Sequence, residues 1–71
     1  MNDTTTPTNQ VSVNYHGLPD YLKQDGIRRA KSGLGLGLAD LMQGRAEFVL
    51  SPRDPETDKR TIVEVLRTTI A

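Results

Sequence analysis

With 71 residues, the chain can form only a small core, which rarely supplies more than ~3–5 kcal/mol of stability unless a disulfide, a metal or a partner adds to it. The absence of cysteine excludes a disulfide scaffold and a thiolate metal site, and it is typical of a reducing, cytoplasmic compartment. Nine basic residues balance nine acidic ones, and no apolar run approaches the ~18 residues of a membrane span, so a membrane-embedded protein is not expected.

The first ten residues differ in composition from the rest of the chain. Residues 1–10 are rich in threonine and contain one hydrophobic residue, Met1. Such a segment cannot bury enough apolar surface to offset the entropy lost on ordering it. We therefore predict a disordered N-terminal tail over residues 1–10, dispensable for folding, and a single globular domain over residues 11–71.

A strand followed by a helix is predicted after this tail. Val11, Val13 and Tyr15 alternate with polar residues, which is the period of a half-buried strand. Pro19 suits the first position of a helix, because the backbone N–H at that position has no partner within the helix. We expect the helix to occupy residues 19–31.

Three glycines alternate with leucine in residues 33–38. In a helix they would cost ~3 kcal/mol relative to alanine. Four residues nevertheless recur at the spacing of one buried helical face: Leu34, Leu38, Leu41 and Met42. We predict a second helix over about residues 36–43, continuous with the first or broken from it near residues 32–36, with Gly44 as its C-terminal stop. A strip of small residues beside it should allow another backbone to approach closely: Gly26, Ala30, Gly33 and Gly37.

The last third of the chain is predicted to be a β-hairpin. Ala46, Phe48 and Leu50 alternate with other residues and so form one apolar face of a strand. Residues 51–58 contain two prolines and four charges, which indicate a loop. Residues 60–70 are rich in β-branched side chains, which favour a strand. The order strand, helix, strand, strand predicts an α+β domain with its helix packed on a small antiparallel sheet.

The last predicted strand has apolar residues on both of its faces. By strict alternation Ile62, Leu66 and Ile70 share one face, and Val63 and Val65 share the other. One helix covers only one face of a sheet. We therefore expect Val63 and Val65 to form the interface of a homo-oligomer.

Two patterns that resemble ligand-binding loops fail on their spacing. To cradle a phosphate, the glycine run would need a glycine at the position of Leu38. Residues 54–58 carry acidic residues at alternate positions, as a calcium loop does. Such a loop, however, needs glycine where Lys59 stands and glutamate where Val65 stands. Neither nucleotide binding nor calcium binding is predicted.

The sequence contains few residues that could act in catalysis. The serines are scattered, and the only histidine, His16, lies beside a predicted turn. No pattern places a nucleophile, a base and an orienting acid together.

The order of elements is similar to that of the flavin-binding dodecins, but no motif matches and there is no tryptophan to stack a flavin. We predict that the protein is not an enzyme and has no cofactor and no metal site.

Basic residues are the best candidates for a binding surface. We expect Lys23, Arg28 and Lys31 to lie close to one face of the first helix, and Arg53 to extend from the hairpin loop. Domains that bind nucleic acid usually have a pI above about 9, whereas the pI of this sequence is near 6.5. The pattern therefore favours docking onto another protein.

Elimination leaves a small non-enzymatic interaction module as the favoured function. We expect an inhibitor or adaptor that occludes a surface of another protein, of the kind that phages and other mobile elements encode. One alternative is a nucleic-acid-binding regulator of transcription. Another is a symmetric oligomer that holds a small ligand between its subunits.

Overall fold

The chain folds into a three-stranded antiparallel sheet with its main helix packed against one face. The computed structural model describes residues 10–68. Six elements follow one another: β1 (Val11–Val13), a 3-10 turn (Tyr15–Gly17), α1 (Asp20–Leu34), α2 (Leu38–Met42), β2 (Ala46–Leu50) and β3 (Ile62–Arg67). The sheet order is β1-β2-β3. The predicted α+β class and strand–helix–strand–strand order are confirmed. The predicted tail lies outside the described residues except for Gln10.

The core lies between the inner face of the sheet and the helices. Ala46, Phe48 and Leu50 are buried on β2, as their alternation predicted. Phe48 and Leu41 are the largest fully buried side chains of the described residues. The other members of the core come from the helices, the loops beside them and β3: Leu18, Leu22, Ala30, Leu36 and Ile62.

The helical region is broken at a glycine, as one of the two sequence interpretations predicted. Gly35 has φ of 69°, in the left-handed region that favours glycine. Its N–H donates to the carbonyl of Lys31 at 3.1 Å, and the N–H of Leu36 donates to the carbonyl of Ala30 at 3.2 Å. The first of these bonds is that of the αL capping motif, in which the left-handed residue donates to the carbonyl four residues before it. This cap ends α1, and Leu36, which follows it, is buried in the core.

The break also changes which leucines are buried. Leu41 is fully buried, but Leu38 is 49% exposed and Met42 is 53% exposed. The prediction that Leu38 and Met42 share a buried face with Leu34 is wrong. The turn at Gly35 changes the direction of the chain, so the helical spacing does not continue through it. The second helix is also shorter than predicted, spanning five residues.

Only half of the predicted small-residue strip is buried. Gly26 and Ala30 lie in the interior, on the inner side of α1. Gly33 and Gly37 are exposed, and a Cβ built on either would have no neighbour within 4 Å. Gly44 follows the C-cap residue Gln43 of the second helix and has φ of 77°, which agrees with its predicted role as a C-terminal stop.

A β-bulge in β3 sets which of its residues face the core. Phe48 pairs with Val65, and Leu50 pairs with Ile62. Two steps along β2 therefore correspond to three steps along β3, so β3 contains one extra residue. Such a bulge interrupts the strict alternation of side chains between the two faces.

The predicted division of β3 into two faces is therefore wrong. Val65 packs against the core on the same side as Ile62, and Leu66 lies on the opposite face, beside Glu47. Val63 is the extra residue of the bulge and is 50% exposed. The expected place of Ile70 lies outside the described residues.

Candidate functional site

A groove of about 540 Å³ runs between α1 and the β3 side of the sheet. Its strand wall consists of residues 63–65. Its helix wall consists of residues of α1: Asp25, Arg28, Arg29, Ser32, Gly33 and Leu34. The groove therefore joins a charged helix surface to an edge of the sheet.

The helix wall carries an excess of positive charge. Nη1 of Arg28 lies 3.6 Å from Oδ1 of Asp25, and Nε of Arg29 lies 2.8 Å from Oδ2 of the same carboxylate. Two guanidinium groups thus share one carboxylate, and the Arg28 side chain is 74% exposed. Exposed ion pairs of this kind contribute only about 0–1 kcal/mol. The arginines can therefore exchange their contact with Asp25 for one with a partner.

The strand wall presents unpaired backbone. The N–H of Thr68 donates to the carbonyl of Arg45 at 2.9 Å, on the β2 side of the sheet. In an antiparallel ladder successive residues point their N–H and C=O groups in opposite directions. The backbone groups of Val65 and Arg67 therefore point away from β2. No other described strand lies on that side, so this edge of β3 is open.

Two features fix the shape of the groove at the end near the C-terminus of α1. Gly33 has no side chain, and the space where one would start is open. Nη2 of Arg67 donates a hydrogen bond of 2.6 Å to the carbonyl of Leu34, which ties β3 to the last turn of α1. The groove therefore has free space at Gly33.

The predicted basic face of the helix does not form as a unit. Arg28 lines the groove, and Lys31 is exposed on the same helix. Lys23 is half-buried, with its Nζ 5.4 Å from the ring centre of Tyr15. At 100° per residue Lys23 lies about 140° around the helix from Arg28. Lys23 therefore does not line the groove, and its part in partner binding stays a prediction.

Arg53 lies in a different part of the molecule. Its Nη1 is 3.5 Å from Oδ1 of Asp58, within the loop between β2 and β3. Both residues line a second concavity, beside β1 and Tyr21. The structure thus separates Arg53 from the groove that contains Arg28.

Val63 and Val65 both line the groove, although they do not share an uncovered face. Their role in a homo-oligomer stays a prediction. Sequence reasoning did not select Arg29, Ser32 or Gly33 for the site. Arg29 belongs to the basic run of the helix, but its place beside the edge of β3 follows only from the packing of α1.

Other kinds of site find little support among residues 10–68. No group of three or more His, Cys, Asp or Glu side chains in this range could hold a metal ion. The single histidine, His16, lies with Nε2 3.2 Å from the carbonyl oxygen of Met42, next to the second helix. None of the helices in this part of the chain has the length and apolar character needed to cross a membrane.

No protein-family model, curated protein or solved structure matches the chain.

Proposed function

We propose that this protein is a small, non-enzymatic, cytoplasmic interaction module of phage or mobile-element origin. It acts as an inhibitor or adaptor by binding another protein through the groove between α1 and β3. The observation that carries the proposal is the open edge of β3 beside a helix wall with two arginines and one carboxylate. An open edge offers backbone hydrogen bonds, and the charges set orientation and the rate of association.

The exposed cations of α1 provide the test of this proposal. The double substitution Arg28→Glu and Lys31→Glu should leave stability within about 0.5 kcal/mol, because both side chains are exposed. Capture of the partner by the immobilised full chain should fall about tenfold at low salt. The loss should shrink at high salt, because the Debye length falls from ~30 Å at 0.01 M to ~10 Å at 0.1 M. Quantitative pull-down followed by calorimetric titration of the purified partner measures both effects.

Arg53→Glu is the matched control, since it reverses a charge in the other concavity. It should leave capture unchanged. If Arg53→Glu abolishes capture and the double variant does not, the loop between β2 and β3 is the docking surface. If the chain instead retards nucleic acid in a salt-dependent mobility shift and captures no protein, it is a nucleic-acid-binding regulator.

A further inference from the structure

We propose that the groove binds its partner by β-strand addition, with an extended acidic segment of the partner pairing with the open edge of β3. This inference rests on the proposed function and specifies its chemistry. The segment lies beside β3, under the helix wall. Its acidic side chains face Arg28 and Arg29.

The backbone of β3 provides the first part of the argument. The N–H and C=O groups of Val65 and Arg67 point to the open edge, whereas the bulge at Val63 interrupts the ladder before them. A strand at about 4.8 Å from β3 can pair with these groups. Main-chain hydrogen bonds of this kind supply affinity to an extended peptide, and side-chain pockets supply specificity.

The two faces of the sheet determine which side chains the segment needs. Val65 lies on the inner side, toward α1, so alternate residues of an added strand point toward the helix wall. Two arginines and Asp25 give that wall a net charge of +1, which favours carboxylates at these positions, while Glu64 lines the groove from the strand wall. The remaining positions lie on the outer face beside Glu64 and Leu66. A carboxylate opposite Glu64 would be destabilising, so apolar residues suit these positions.

The same charges argue against a second copy of this chain as the occupant. Antiparallel pairing of two β3 edges about a twofold axis places both α1 helices on one side of the joined sheet. The two helix walls, each with a net charge of +1 from Arg28, Arg29 and Asp25, would then face each other across the paired β3 strands. Repulsion between like charges disfavours this arrangement. An acidic segment of a different protein meets no such repulsion.

A synthetic peptide tests the proposal without knowledge of the natural partner. The probe is an acetylated and amidated peptide of about nine residues, within the usual length of a strand, in which valine alternates with aspartate. Titrated into the ¹⁵N-labelled full chain, it should shift the amide resonances of Val65 and Arg67 and slow their hydrogen exchange. A lysine-for-aspartate peptide should bind at least about tenfold more weakly, which is one decade in Kd. A peptide methylated on alternate backbone nitrogens should not bind.

Two leucine substitutions on α1 form a matched pair of variants. Gly33→Leu places a side chain in the groove, where no atom of the fold blocks it. Gln24→Leu adds the same side chain about 180° around the helix, on an exposed position. Gly33→Leu should weaken binding of the aspartate peptide by about tenfold or more, or 1.4 kcal/mol per decade, and Gln24→Leu should leave it unchanged. Thermal melts of both variants check that they are folded.

Three results would overturn strand addition. The first is equal affinity for the aspartate and lysine peptides. The second is unchanged binding by Gly33→Leu, or resonance shifts confined to residues away from β3. The third is a dimer in light scattering whose Val65 amide is protected without peptide, which assigns the edge to a second copy.

If a captured protein binds through Arg28 while the peptides fail, strand addition is wrong and the interaction function stands. If no protein is captured and the aspartate peptide binds as predicted, the groove is confirmed and the proposed partner class is wrong.

Discussion

Phe48→Ala is expected to leave the protein largely unfolded at room temperature. Phe48 is fully buried and lies at the centre of β2, the middle strand of the sheet. Replacement of a buried phenylalanine by alanine typically destabilises a protein by 3–5 kcal/mol, because it removes apolar contacts and leaves a cavity. The whole core of a domain this small rarely supplies more than ~3–5 kcal/mol. The substitution therefore removes about as much stability as the domain has.

Circular dichroism during thermal and urea unfolding measures this effect. Glu47→Ala is the control, because Glu47 precedes Phe48 on β2 and its side chain lies exposed on the other face of the strand. It should change stability by less than about 0.5 kcal/mol. A cooperative melt of Phe48→Ala within a few degrees of the wild type would mean that the core does not depend on this ring.

Gly26→Val is expected to produce the second large loss of stability. A Cβ built on Gly26 would lie 2.7 Å from Cδ1 of Leu18 and 3.3 Å from Cε1 of Phe48. Both neighbours are buried, so neither can move without displacing other core side chains. Overpacking of this kind usually costs 1–3 kcal/mol, and the branched side chain adds two further methyl groups to the clash. We expect a fall of at least 2 kcal/mol in the free energy of unfolding, roughly the upper part of that range.

Gly33→Val is the matched control on the same helix. A Cβ at Gly33 meets no atom within 4 Å, so the added side chain enters open space. The helix propensity of valine is also more favourable than that of glycine, by about 0.3 kcal/mol. The melting temperature should stay constant or rise slightly. Equal losses in the two variants would show that helix propensity, and not the contact with Phe48, explains the effect of valine at position 26.

The core and the proposed binding groove are separable by these variants. Phe48 and Gly26 are buried between α1 and the sheet, whereas Gly33 and Arg28 lie where α1 meets the open edge. Substitutions at the first pair should change stability. Substitutions at the second pair should change binding and leave stability nearly constant. A loss of partner capture in Arg28 variants can thus be assigned to the surface and not to unfolding.

The elements whose signals are local could be predicted from the sequence alone. Alternation in residues 46–50 predicted the buried face of β2, because a strand turns successive side chains to opposite sides. The glycines of residues 33–37 indicated a break between the helices as one of two interpretations, because glycine lowers helix stability, and the structure places that break at Gly35. The prolines and charges after Leu50 predicted the loop. Each of these signals depends on neighbours within a few positions along the chain.

The faces of β3 and the position of the groove could not be predicted from local sequence signals. Val65 turns to the core because β3 has one more residue than β2 between two pairs, and the sequence carries no mark of that bulge. Arg29 joins the groove because α1 packs beside β3. Pairing register and helix placement depend on contacts between residues far apart in the chain. Local periodicity does not contain that information, so the binding surface emerged only from the fold.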